Sequence, residues 1–150
     1  MQSTLDPLLE HAESQRNAAL AALNQTRVRR DAAQAQARDL TAYRDDYMQR
    51  WNARFQLGTA PAIVQCYRQF GDRLELAITQ QAHAVAAAEQ ALTRADDVLV
   101  AHEFRVASVR KLMQRRQLER WRGEERREQH AADEFAQRMA TRRTLQGVPT

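Results

Sequence analysis

The stretch LELAITQQAHAVAAAEQALTRADDVLVAHEFRVASVRKLM, residues 74–113, decides the fold. Steps of four and three residues from Leu74 reach Ile78, Gln81, Val85, Ala88, Leu92, Ala95, Leu99, His102, Val106, Val109 and Met113, and ten of these twelve positions are apolar. A 3.5-residue repeat is the seam of a coiled coil, with Ile78, Val85, Leu92, Leu99 and Val106 at one core position and smaller residues mostly at the other. The stretch is one helix that lays a narrow stripe on a partner helix.

The partner lies upstream. From Leu8 to Leu57 there is neither glycine nor proline, and Asp6-Pro7 before it reads as an N-cap followed by a proline in the first turn. Its stripe is poorer: Leu9, Ala12, Arg16, Ala19, Leu23, Thr26, Arg30, Ala33, Ala37, Leu40, Arg44, Tyr47 and Trp51, with arginine recurring every fourteen residues. An arginine can lay its methylenes along a seam and lift its head into water. Gly58-Thr59-Ala60-Pro61 is the one interior place where glycine and proline cluster, so the chain turns there.

The expected fold is all-α, an antiparallel two-helix coiled-coil hairpin over residues 1–150. Helix one covers about 7–57, the turn about 58–61 and helix two about 62–143. Facing residue numbers should sum to roughly 119, which leaves 114–150 overhanging. Gly123 costs about 1 kcal/mol relative to alanine inside a helix, so the overhang is expected to be frayed or hinged there. Pairs such as Arg115 with Glu119, Arg120 with Glu124 and Glu134 with Arg138 should support it.

Composition narrows the function. Alanine, arginine, glutamine and leucine fill 80 of 150 positions, beside four glycines, three prolines and nine aromatics. With 28 % charged residues and a mean hydropathy of −0.72, the chain lacks the bulk for a thick enzyme core. The glycines form no phosphate loop or dinucleotide fingerprint, and no cofactor is expected. His11, His83, His102 and His130 are scattered, and Cys66 is alone, so no structural zinc site is expected. His130 with Glu134 is the sole candidate metal pair, and a solvated helix face is the simpler reading; His102 reads as a tolerated polar seam residue. The longest apolar run, Ala18–Leu23, is six residues, far below the ~20 of a membrane span. The N-terminus lacks a signal core, and a single cysteine fits a reducing compartment, so a cytoplasmic location is expected.

Charge is uneven. Residues 1–109 carry 12 basic and 13 acidic side chains, and 110–143 carry 11 and 6. Arg115, Arg116, Arg120, Arg122, Arg126 and Arg127 make the overhang basic, and it is the expected contact for a partner of opposite charge. Six acids interleave with these arginines and no stacking platform accompanies them, so nucleic acid is not the expected partner. A basic helical nucleic-acid or ribosome-associated factor stays open as another reading, marked by binding that falls steeply with salt. Six of the nine aromatics, Tyr43, Tyr47, Trp51, Phe55, Tyr67 and Phe70, fall near the turn. A two-helix coil has no interior wide enough to hide them all, and exposed aromatics favour binding.

In the order and spacing of these aromatics the chain resembles the flagellar FliJ family. The matching strings are LTAYRDDY over 40–47, YRQF over 67–70, LELAITQQ over 74–81 and DEFAQR over 133–138. The resemblance implies a non-enzymatic stalk-like component of flagellar protein export that meets the export ATPase and the cytoplasmic domain of the export gate. It also implies escort of export chaperones and a cytoplasmic site peripheral to the inner membrane, without insertion in it. Carried over by position, the interaction strip is Gln36, Leu40, Tyr43 and Tyr47 on helix one with Phe70, Leu74, Ala77 and Gln81 on helix two. Leu40, Tyr47, Leu74 and Gln81 are equally readable as seam residues. The equivalent stalk protein of a virulence type III secretion system fits the same residues.

Overall fold

The structure, a computed structural model, describes residues 4–147. The outermost residues of the expected hairpin, 1–3 and 148–150, lie outside the described range. Helix α1 spans Asp6–Gln56 and helix α2 spans Pro61–Gln146, 51 and 86 residues, and the described chain has no strand. The fold is an antiparallel two-helix coiled-coil hairpin whose second helix is the longer.

Local chemistry sets the ends. The Leu9 N–H donates to the Leu5 carbonyl at 2.9 Å, so Leu5 holds the cap position and Asp6 the first turn. This corrects the expected Asp6 cap: Leu5 is buried and carries the chain into the helix one residue earlier. At the other end the Leu57 N–H reaches the Arg54 carbonyl at 3.0 Å and the Gly58 N–H reaches that of Phe55 at 3.2 Å. Gly58 then takes φ +85°, a left-handed conformation that costs an L-residue with a Cβ about 1 kcal/mol or more. Pro61 opens α2, where its missing N–H has no intrahelical partner to lose.

The chain divides into two compact units, Ala12–Phe104, and Met1–His11 with Arg105–Thr150. In the first unit Ala19, Leu23 and Leu99 form a buried cluster with Leu92 and Ala95 packed against it. Arg44 pairs with Glu75 at 3.3 Å, Trp51 lies 5.7 Å from Tyr67, and Gln34 donates to Glu89 at 3.2 Å. Those pairs sum to 119, 118 and 123, within about one helical turn of the expected 119. In the second unit Leu5, Val106 and Val109 are buried, and the Arg116 guanidinium reaches the Thr4 hydroxyl at 3.4 Å.

The stripes follow the seam. Every one of the twelve positions from Leu74 to Met113 is buried or half-buried, and so is each of the thirteen from Leu9 to Trp51. The core is thin, because only eight described residues are buried and, of the four before the turn, two are alanines. At about 1.5–3 kcal/mol per fully buried leucine or valine, five such side chains and Leu5 carry most of the apolar gain.

Among the described residues past Met113 only Gly123 is even half-buried, yet α2 continues to Gln146 without a break. No break in the helix falls at Gly123, where a hinge was expected. Alanine, arginine, glutamine, glutamate, leucine and methionine dominate this stretch, and one glycine among such helix formers is a local cost of about 1 kcal/mol. Nor do the expected pairs of arginine with glutamate form. Among the described residues the one ion pair in this stretch is His130 Nδ1 with Glu134 at 3.5 Å.

Candidate functional site

Next to the turn the narrow seam has to accept rings, and it does so by chaining them. Phe55 lies 5.0 Å from Tyr67 edge-on, Tyr67 stacks on Tyr47 at 5.4 Å, Tyr47 meets Phe70 at 4.8 Å, and Phe70 meets Tyr43 at 6.5 Å. Trp51 bridges Tyr47 at 6.0 Å and Phe55 at 5.7 Å, with the Arg54 guanidinium 5.3 Å from its ring. Offset and edge-on pairs of this kind add about 0.5–1.5 kcal/mol each beyond area burial. The cluster is therefore packed ring on ring on its inner side.

Its outer side is open. Tyr43 is 53 % exposed and Phe70 38 %, and beside them lies a cleft of about 420 Å³ lined by Tyr43, Tyr47, Trp51, Cys66, Tyr67, Gln69, Phe70 and Arg73. Burial by the surrounding rings, more than the neighbouring Tyr67, Tyr43 and Cys66, pushes the Tyr47 phenol above its ordinary range. On the neighbouring turn of α1 the Arg44 guanidinium is raised, first by its hydrogen bond to Asp45 and also by Glu75.

The structure brings three of the eight strip residues, Tyr43, Tyr47 and Phe70, into one cluster. Leu74 is buried at 8 % and Leu40 half-buried, so both serve the seam. Ala77 is half-buried. The Gln81 amide donates across the hairpin to the Ala33 carbonyl at 2.9 Å and is thereby spent on the interior. Gln36 is exposed on α1. Trp51, Tyr67, Cys66 and Arg73 line the cleft although position alone did not place them in the strip. The crowding of aromatics at the turn was the available signal for the first two.

Arg115, Arg116, Arg120, Arg122, Arg126 and Arg127 are all exposed, and among the described residues none has a carboxylate within 4.0 Å. Arg116, Arg120 and Arg127, with Glu119 and Glu124, border a shallow depression of about 470 Å³ over Gly123. Unpaired guanidiniums keep their forked donors available for carboxylates. Among the described residues no three of the His, Cys, Asp and Glu side chains are placed to hold a metal ion, and no helix is long and apolar enough to cross a membrane.

Comparison with known proteins adds two findings. The sequence profile of a family described as Flagellar FliJ protein matches residues 1–145. A solved structure described as that of a YscO homologue, CT670 from Chlamydia trachomatis, shares the fold at a TM-score of 0.68 and 19 % identity, over 97 % of this chain and 98 % of that one. No curated protein matches.

Proposed function

Because the chain belongs to the flagellar FliJ family, coiled-coil proteins associated with type III export, we propose that it is a non-enzymatic linker in flagellar protein export. In this reading the aromatic cleft beside the turn receives the cytoplasmic domain of the export gate. The arginine-rich end of α2 meets the export ATPase, and the same hairpin escorts export chaperones. The protein then works in the cytoplasm, peripheral to the inner membrane at the export apparatus.

The observation that carries the reading is the pairing of a packed inner ring cluster with two exposed rings, Tyr43 and Phe70. A pre-ordered aromatic pair loses little freedom on binding, and truncating such anchors costs about 1–3 kcal/mol. The test is titration of the purified gate domain against wild type, Tyr43→Ala and Phe70→Ala, with circular dichroism alongside. Each substitution should weaken gate binding about 5- to 150-fold with helicity intact. A loss of affinity only in step with lost helicity would make the rings core and sink the site. For the ATPase, removal of 114–150 should abolish stimulation while the hairpin melts as before. Likeness of fold to a YscO homologue supports one other reading, the stalk protein of a virulence secretion system. The two are separated by which gate domain binds.

A further inference from the structure

The overhanging part of α2 has a second face that the arginines do not occupy. Leu118, Trp121, Ala132, Phe135 and Met139 fall on one line of the helix, because Leu118 to Trp121, and Ala132 through Phe135 to Met139, step three and four residues in heptad fashion. Leu118 is 45 % exposed, Trp121 58 %, Phe135 66 % and Met139 44 %. The line is complete, since Glu125 and Glu128 hold its two middle positions and Glu124 flanks them. At about 100° per residue, Arg116, Arg120, Arg126 and Arg127 project from the opposite half of the helix, and Arg115 and Arg122 flank the line beside Leu118. Among the described residues none of the three glutamates has a cation within 4.0 Å.

The pattern specifies its own occupant. Four large apolar side chains at coiled-coil spacing are complementary to a helix laid along them. Two carboxylates in the middle of that line require cations opposite, because like charges there repel and unpaired ones lose hydration without compensation. A second copy of this chain fails the requirement, since parallel or antiparallel pairing on this line sets Glu125 and Glu128 against carboxylates. We infer that this face docks an amphipathic partner helix whose apolar residues bracket two lysines or arginines at the matching spacing. The inference is independent of the gate and ATPase contacts proposed above.

The test uses the full chain and a fluorescently labelled synthetic helix with apolar residues at both ends of its stripe and two lysines between them, read by anisotropy. A control peptide carries glutamates in place of the lysines. The lysine peptide should bind wild type, and Trp121→Ala and Phe135→Ala should each weaken it about tenfold or more with helicity unchanged. The double variant Glu125→Lys, Glu128→Lys should reject the lysine peptide and accept the glutamate one. That exchange of preference is a result no folding defect can mimic. Three results overturn the inference: no binding of the lysine peptide, equal binding to the charge-inverted chain, or loss caused by Arg116→Ala, Arg120→Ala and Arg127→Ala instead. Sedimentation of wild type as a dimer that Trp121→Ala converts to monomer would assign the face to a second copy and overturn it as well.

Discussion

Helix α2 carries one heptad phase through two stretches of unlike chemistry. From Leu74 to Met113 the seam positions are ten apolar residues with Gln81 and His102, all buried or half-buried. Continued in the same phase they are Arg116, Arg120, Gly123, Arg127, His130 and Glu134, all exposed except the half-buried glycine. Both stretches are unbroken α-helix, for different reasons. The first is held by a partner helix, and tertiary packing supplies most of the stability of such elements. The second rests on the propensity of its residues and leaves its side chains exposed. One stretch spends its chemistry on folding and the other leaves it exposed to solvent.

The sharpest way to break this contrast is to put the same charge into each. Leu99 is 7 % exposed and packs with Ala19 and Leu23. Leu99→Asp should therefore cost at least about 3 kcal/mol, the lost apolar burial and an unpaired carboxylate together. Leu118→Asp, on a residue 45 % exposed, should change stability by no more than about 0.5 kcal/mol. Thermal melting followed by circular dichroism measures both. Equal losses would mean that residues beyond Met113 are packed after all.

A smaller difference divides the aromatic cluster itself. Tyr47 touches Tyr43, Trp51, Tyr67 and Phe70, whereas Tyr43 touches two rings and is 53 % exposed. Tyr47→Ala should cost about 1–3 kcal/mol and Tyr43→Ala under about 1. Denaturant melts of the two variants separate them, and the reverse order would place Tyr43 in the core.

Alkali offers a third comparison. The Tyr47 phenol is raised, so the folded chain favours its neutral form, and the stability this gives is present below the ordinary tyrosine pKa of about 10. It is lost as pH rises through the elevated folded value. Tyr47→Phe cannot ionise and should remove that part of the alkaline decline. Identical pH profiles for the two proteins would rule out Tyr47 as its source.

The seam was legible because burial imposes a period, and Leu74 to Met113 obeys it at ten of twelve positions. The register was legible for the same reason, since both stripes and the break at Gly58 constrain it. What sequence misjudged was local. Asp6 has the chemistry of a cap, but the Leu9 N–H donates to the carbonyl of Leu5, a buried residue. At Gly123, where a hinge was expected, the helix runs on unbroken between strong helix formers. Within the expected interaction strip, exposure was the missing quantity: Tyr43 and Phe70 share a heptad neighbourhood with Leu74 and Gln81, and only geometry shows that Leu74 faces inward and that Gln81 is bonded to Ala33.

Two glycines give the finest version of the contrast. Gly58 has φ +85° in the turn, where an added Cβ meets no atom within 4 Å but the backbone conformation itself opposes it. Gly58→Ala should destabilise the hairpin by about 1 kcal/mol. Gly123 is helical, has the same open space around a built Cβ, and does not have a positive φ. Gly123→Ala should therefore favour helix locally by about 1 kcal/mol. That gain belongs to a stretch with no buried residue, so it should slow amide exchange around 119–127 while leaving the melting of the packed seam within about 0.5 kcal/mol of wild type. A melting temperature that climbs with the local protection would show that the two stretches unfold as one cooperative unit, and the division between a helix held by packing and a helix held by propensity would have to be given up.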